Sequence, residues 1–218
     1  TLTGHATIVT SVPFLADSKT LVGAADEKVI KIWDATTGKL LQSIKGDGTT
    51  EIPVLVAVND KTFRIWSPNP NVIETYDVTG KRVDTLGVDK ADLTLNCLCI
   101  SSDGSRTALG GKEGKARIFD IPGKKVVADI NTGKVEIADI CLSADNKFLI
   151  TADKEGGVSI WDISKPTKPL HQIKAHGKKV QAMAASKDGK RVATAGLDNV
   201  VKVWDLARDA DQWRQPGI

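Results

Sequence analysis

The sequence predicts an all-β fold of repeated four-stranded blades, a propeller, and three observations carry that prediction. An aromatic residue followed by Asp recurs at Trp33, Tyr76, Phe119, Trp161 and Trp204, in steps of 43, 43, 42 and 43 residues. A period of about 40–45 residues with four strands per unit is the mark of propeller blades. Each pair also closes a short strand-like run, most clearly Val200-Val201-Lys202-Val203-Trp204-Asp205. No segment has the 3.6-residue apolar period of an amphipathic helix. The unbroken repeat argues for one domain over 1–218, with blades at about 5–46, 47–90, 91–131, 132–174 and 175–218.

In the first unit, Ile8 to Leu15 is the first strand, and Ala16-Asp17-Ser18-Lys19 is a hairpin turn in which Asp and Ser bond the backbone. Thr20 to Ala25 follows, then an Asp26-Glu27-Lys28 turn, Val29 to Trp33, a Thr37-Gly38 turn and Lys39 to Ile44.

The second unit is the most divergent, with strands at Ile52 to Val58, Thr62 to Trp66, Val72 to Tyr76 and Lys81 to Leu86. Trp66-Ser67 is a false anchor. It lies 33 residues after Trp33, whereas Tyr76 lies 43 after it and is followed by Asp77 and Thr79-Gly80. Trp66 therefore belongs to a second strand, where the fifth unit has Thr194, and Pro68 and Pro70 fall in the next loop, where no ladder donor is needed.

The third unit runs Asn96 to Ile100, Arg106 to Gly110, Lys115 to Phe119 and Lys125 to Ile130. The fourth runs Val135 to Leu142, Phe148 to Ala152, Val158 to Trp161 and Leu170 to Ile173. The fifth runs Val180 to Ala185, Arg191 to Ala195 and Val200 to Trp204, after which only Gln212-Trp213-Arg214 resembles a strand.

Composition excludes several function classes. At 41% hydrophobic and 26% charged the chain is ordinary for a globular protein, and a net charge of +3 is too small to imply nucleic acid as a partner. No apolar run approaches the ~18 residues of a membrane helix, and no signal peptide precedes the first repeat. Three cysteines without framework spacing do not read as a disulfide scaffold and point to a reducing compartment such as the cytoplasm. Cys97 and Cys99 lie on one side of a strand, and Cys99 and Cys141 hold equivalent positions in adjacent units. A metal site normally needs four spaced ligands, so buried thiols are the expectation and no metal or cofactor is predicted. Gly110-Gly111-Lys112-Glu113-Gly114-Lys115 lacks the first Gly and the Ser or Thr of a phosphate loop. Asp17, Asp60, Asp103, Asp145 and Asp188 recur at the same hairpin turn of each unit, a turn role and not a convergent acid set.

The chain resembles the WD-repeat β-propeller family over nearly its whole length. That family's repeat opens with Gly-His and closes its third strand with Trp-Asp. Here Gly4-His5 places His5 28 residues before Trp33, and Ala175-His176 places His176 28 before Trp204. The resemblance implies a buried relay of His, Ser or Thr, Asp and Trp. All four places match at His176, Thr194, Asp198 and Trp204. The first unit has His5 and Trp33 with Gly23 and Glu27 between them, and the fourth has Thr151, Glu155 and Trp161 with Gly133 in the His place. The relay is structural, since a buried imidazole and indole N–H each need a partner. That assignment leaves little histidine for catalysis.

The resemblance also implies a protein-binding scaffold or complex subunit, non-enzymatic, whose loops meet partner proteins. The alternative it allows is a WD-repeat domain within a larger enzyme or a haem-containing multidomain protein. Lys174, Lys178 and Lys179, on the loop carrying His176, are the candidate contact for an acidic partner. The family commonly has seven blades, so five are expected to form an arc of a larger ring. The remaining blades would come from further sequence or another chain, with a closed five-bladed ring as the alternative.

Overall fold

The structure is a computed structural model that describes residues 2–25, 29–45, 54–68, 71–88, 95–133, 135–186 and 190–205. Every element among these residues is a strand, and every pairing is between sequence neighbours and antiparallel. Two compact units result, Thr1–Ala91 and Asp92–Ile218.

The first unit holds two blades. Blade one is β1 (Val9–Ser11), β2 (Thr20–Ala25), β3 (Val29–Asp34) and β4 (Leu40–Lys45). Blade two is β5 (Val54–Ala57), β6 (Thr62–Pro68), β7 (Asn71–Asp77) and β8 (Arg82–Gly87). The second unit holds three blades. Blade three is β9 (Leu95–Ile100), β10 (Arg106–Gly111), β11 (Lys115–Asp120) and β12 (Lys125–Asn131). Blade four is β13 (Ile137–Leu142), β14 (Phe148–Asp153), β15 (Gly157–Asp162) and β16 (His171–Lys174). Blade five has β17 (Val180–Ala185), β18 (Arg191–Gly196) and β19 (Val201–Asp205). The strand expected around Gln212-Trp213-Arg214, the Asp26-Glu27-Lys28 turn and Asp188 lie outside the described residues.

The aromatic–Asp pair ends the third strand for a local reason. In blades one to three the ladder to the fourth strand slips at the aromatic, between Ile32 and Trp33, Thr75 and Tyr76, and Ile118 and Phe119. Such a bulge ends regular pairing and bends the strand. The Asp that follows then accepts the N–H groups of the turn. Asp34 Oδ1 takes them from Thr36 (2.8 Å) and Thr37 (3.0 Å), Asp77 Oδ1 from Thr79 (2.9 Å) and Lys81 (3.0 Å), and Asp162 Oδ1 from Ser164 (2.8 Å). These bonds hold all three carboxyls below the ordinary Asp range, led by the turn N–H groups at Asp34 and by the Thr79 and Ser164 hydroxyls at Asp77 and Asp162.

Blades stack front to back. The front of each sheet carries the aromatic, and the back carries the alternate residues, because side chains along a strand point to opposite faces. Within the first unit the back of blade one (Val22, Ala24, Ile30, Ile32) buries Phe63, Ile65 and Tyr76 of blade two. Within the second, the back of blade three (Ala108, Ala116, Ile118) meets Ile137, Ile140, Leu142, Leu149 and Trp161 of blade four. The back of blade four (Cys141, Ile150, Ala152, Val158, Ile160) meets Val180, Val192 and Trp204 of blade five. Each fully buried Val, Leu or Ile stabilises by ~1.5–3 kcal/mol relative to exposure, so stacking dominates the fold energetics.

Four local expectations change. The first strand of blade one is only Val9–Ser11, with Phe14 joining Leu21 by a single bridge, since the ladder slips between Val9 and Ser11 and Pro13 has no N–H to donate. Pro68 is the last residue of β6, opposite Asn71, and not part of the loop. Tyr76 ends the third strand and Trp66 lies on the second, but Trp66 does not take the place of Thr194. Phe63 pairs with Tyr76 as Val192 pairs with Trp204, so Ile65 is the counterpart of Thr194 and Trp66 points to the opposite face. In the first turn of blade two the capping oxygen is that of Asn59, which accepts from Lys61 N and Thr62 N at 2.8 Å each, and not that of Asp60. Asp17, Asp103 and Asp145 do cap their turns.

Candidate functional site

Blade five brings four polar side chains into one line. Trp204, at the end of β19, donates its indole N–H to Thr194 Oγ1 on β18 at 2.9 Å. Thr194 Oγ1 lies 2.8 Å from His176 Nε2, and His176 Nδ1 lies 3.0 and 3.1 Å from the two oxygens of Asp198. Because the indole can only donate, the Thr194 hydroxyl proton is left for Nε2, which assigns the imidazole proton to Nδ1 facing Asp198. His176, Thr194 and Trp204 are all buried. Asp198 also accepts the backbone N–H of Gly177 (3.1 Å) and Val200 (3.2 Å). Burial pushes its carboxyl up, and the bonds from Gly177, His176 and Val200 outweigh that and leave it below the usual carboxylate range.

The chain of bonds pins the loop between blades four and five from inside. Two backbone bonds pin it from outside: His176 N donates to Gly156 O (2.9 Å) and Leu197 N to Lys179 O (2.9 Å). Gly156 has φ +93°, and a Cβ there would lie 2.2 Å from the His176 carbonyl oxygen. Only glycine lets the turn of blade four approach this loop so closely.

A buried His–Thr–Trp line on sheets with a 43-residue repeat has a counterpart among known proteins. The WD40 family, described as "WD domain, G-beta repeat", matches residues 1–34, 127–162 and 167–205, half of the chain. The chain belongs to the WD-repeat family. Similar proteins include pre-mRNA-processing factor 19 homolog 2 of Arabidopsis thaliana, 26% identical over 172 residues that cover 76% of this chain and 32% of that protein. The target of rapamycin complex subunit LST8 of Saccharomyces cerevisiae is 27% identical over 180 residues, 79% of this chain and 58% of that protein. The COMPASS component SWD1 of the same yeast is 32% identical over 90 residues, 38% of this chain and 20% of its own length. The chain spans less than two thirds of the length of each of these relatives.

The other WD repeats bring fewer of these groups together. In blade four Trp161 Nε1 donates to Thr151 Oγ1 at 3.0 Å. Gly133 supplies no imidazole there, and Glu155 is exposed, with its backbone N–H on Asp153 Oδ1. In blade one the ring of His5 meets Trp33 edge-on, centroids 5.3 Å apart. Gly23 stands where blade five has Thr194, and the Trp33 indole N–H is buried with no acceptor. A Cβ on Gly23 would lie 2.8 Å from the Trp33 ring, so the two rings have closed over the space a Thr side chain would fill. Blades two and three carry Ile65 and Leu109 at the Thr position and have no hydroxyl to offer.

The three loop lysines differ in placement. Lys174 Nζ donates to the Glu155 carbonyl, Lys178 is exposed, and Lys179 is half-buried. The cysteines are free thiols. Burial pushes all three up, Cys141 to about 12, so none is a ready nucleophile at neutral pH. Among the described residues no three His, Cys, Asp or Glu are grouped to hold a metal ion.

Two polar groups on the first strands escaped sequence reasoning. Asn96 Nδ2 donates to Ile137 O (2.9 Å), which joins blades three and four. Asp139 accepts from Ile140 N (2.9 Å) and Met183 N (2.6 Å), which joins blades four and five, and burial raises its carboxyl despite those bonds. The available signal was a single polar residue within each of two otherwise apolar strands, at neighbouring and not equivalent register positions, since Asp139 corresponds to Cys97. Between blades three and four an open cleft of about 520 Å³ is lined by Arg106, Val127, Lys147, Phe148, Ile163 and Pro166.

Proposed function

We propose that this chain is a non-enzymatic assembly module that presents its WD-repeat loops to partner proteins in a complex. One observation carries the reading. The most conspicuous polar constellation, His176 with Thr194, Asp198 and Trp204, spends its bonding capacity inside the blade, which rigidifies the loop that bears the lysines. A histidine enclosed this way serves structure, and the exposed surface of the rigid loop is left for recognition. WD-repeat proteins are typically non-enzymatic scaffolds, and two of the similar proteins are by name a complex subunit and a complex component. A parallel role within a multi-protein complex is the reading this supports.

Lys178 and Lys179 are the proposed contact for an acidic surface on that partner. Rim charges of this kind act mainly on association rate and salt dependence. The test is affinity purification from the native source with quantitative mass spectrometry, run on wild type and on the double variant Lys178→Glu, Lys179→Glu. Partner recovery at fixed stoichiometry, reduced in the variant most strongly at low salt, supports the module and its contact. Recovery unchanged by the charge reversal removes the loop from the interface, and a chain that purifies with no stoichiometric partner overturns the assembly role.

A further inference from the structure

Blades three and four frame an open groove that neither the relay nor the Lys178–Lys179 loop uses. One wall is the connection between β15 and β16, eight residues long (163–170) against five, four and four in blades one to three. It reads Ile-Ser-Lys-Pro-Thr-Lys-Pro-Leu, with two lysines and no acid. Pro166 and Pro169 each fix φ, which stiffens an otherwise long loop. Ile163 N donates to Lys147 O at 2.9 Å, so the base of the loop is tied to the first turn of blade four. Two clefts open beside the loop. The first, about 520 Å³, meets Val127 of β12 and Pro166. The second, about 490 Å³, meets Asn131 at the end of the same strand and Thr167, Lys168 and Pro169.

The first cleft suits an apolar side chain with a negative charge beside it. Val127, Phe148, Ile163 and Pro166 supply its apolar wall. Val127 and Ile163 belong to the core packed between blades three and four, so this wall is fixed. Arg106 Nη1 donates to Asn146 O (2.5 Å) and Asn146 Nδ2 to Asp103 Oδ2 (2.9 Å), which holds the two blades at one spacing. A guanidinium has five donors, and among the described residues Arg106 spends one, on that carbonyl. Lys147 is exposed, its Nζ 3.6 Å from Asp145 in a surface pair that solvent weakens. Asp162 is the one carboxylate lining either cleft among the described residues, and its Oδ1 is occupied by the N–H and hydroxyl of Ser164. Arg106, Lys147 and Lys168 against Asp162 leave the groove net positive.

We propose that this groove binds an extended acidic segment of a partner protein. A large apolar side chain of the segment enters the first cleft, and its carboxylates meet Arg106, Lys147 and Lys168. Val127 and Asn131 lie four residues apart on β12, roughly 13 Å at about 3.3 Å per residue, which is the reach of a short extended segment. A small anion would fill one cleft and leave the other empty, whereas a chain segment uses both. A groove held open by bonds between its blades needs little ordering on binding. The proposal rests on the assembly role proposed above and gives that role a second contact, on other blades than the Lys178–Lys179 loop.

The probe is a fluorescent six-residue peptide with one phenylalanine among glutamates, titrated against the full chain at low salt. Anisotropy reads affinity, and amide NMR shifts read location. Shifts are expected at Val127, Lys147, Ile163 and Lys168, and the double variant Lys147→Glu, Lys168→Glu is expected to bind at least about tenfold more weakly. Peptides with lysine for glutamate, or alanine for phenylalanine, are expected to lose affinity by a similar factor. Circular dichroism checks that the variant folds; if it does not, Lys147→Ala with Lys168→Ala replaces it. No shift at these amides, equal binding of the lysine peptide, or binding indifferent to the charge reversal overturns the proposal. Phenylacetate that binds as tightly as the peptide makes the cleft a small-anion site and overturns it equally. A chain that recovers its partner but ignores the peptide strikes this inference and leaves the proposed function standing. Peptide binding by a chain that recovers no stoichiometric partner strikes the assembly role and leaves the groove as a peptide site.

Discussion

Blade five and blade one begin with the same residue pair, a histidine 28 positions before a tryptophan, and end in different structures. In blade five Thr194 stands between the rings, accepts the indole N–H, and reaches His176, whose other nitrogen meets Asp198. In blade one Gly23 offers no oxygen, so His5 and Trp33 pack edge to face and the Trp33 indole N–H is left without an acceptor. The difference teaches that the central hydroxyl decides how the two rings meet. Where the hydroxyl is missing no gap is left in the line, because the two rings occupy the space and the indole N–H goes without its acceptor.

The sharpest way to break blade five is from its neighbour. Gly156→Ala places a Cβ 2.2 Å from the His176 carbonyl at a positive φ. Overpacking and left-handed strain together are expected to destabilise by ~2–4 kcal/mol, read as a lower denaturant midpoint. The clash falls on the loop that opens blade five, so the loss should be accompanied by faster exchange of the His176, Gly177 and Leu197 amides. An unchanged midpoint would show that the close approach of this turn to the loop is not required.

His176→Ala comes next. It leaves the buried Thr194 hydroxyl without its Nε2 acceptor and takes one of the donors from Asp198, and a buried group left unsatisfied costs ~1–3 kcal/mol. His5→Ala, which removes a half-buried ring, should cost about 1 kcal/mol, the centre of the usual range for point substitutions. Chemical denaturation of both variants measures the contrast. Equal losses would mean that the hydrogen bonds of blade five add nothing beyond ring packing.

Gly23→Thr is the attempt to rebuild the relay in blade one. Its Cβ would lie 2.8 Å from the Trp33 ring, so the variant is expected to lose ~1–2 kcal/mol to overpacking despite gaining a hydroxyl. A gain in melting temperature, with a downfield-shifted and exchange-protected Trp33 indole proton, would contradict this and show that blade one can be converted.

The smallest effect is on acid stability. Asp198 and the turn carboxyls of Asp34, Asp77, Asp103 and Asp162 are held below their unfolded values in the folded chain. A depressed folded value means that the stability these groups supply is complete above the ordinary carboxylate range and drains away as pH falls through the folded values. The midpoint should therefore be flat near neutrality and fall below about pH 4, where unfolded Asp begins to bind protons. Asp198→Asn should flatten part of that fall. If the acid slope is the same with and without Asp198, the carboxylate is not linked to folding.

The sequence by itself determined the all-β class, the repeat, the aromatic that ends each third strand and the place of Trp66 on a second strand. These follow from local chemistry: period-two alternation, and Asp or Asn oxygens that bond the next two or three backbone N–H groups. Local chemistry is also where the reading slipped by one residue, at Asn59 against Asp60 and at Ile65 against Trp66, because either neighbour satisfies the pattern and only the ladder register selects one. The spacing named His176, Thr194, Asp198 and Trp204, but the distances among them depend on residues up to 28 positions apart meeting in space. Tertiary structure alone decided that Gly23 lets Trp33 close over His5, that Asp139 bonds Met183 of the next blade, and which apolar faces stay exposed. Val158 and Val201 hold the same place in the same ladder, and one is buried and the other is not. Burial is a property of what lies opposite, and no strand encodes its neighbour in its own alternation.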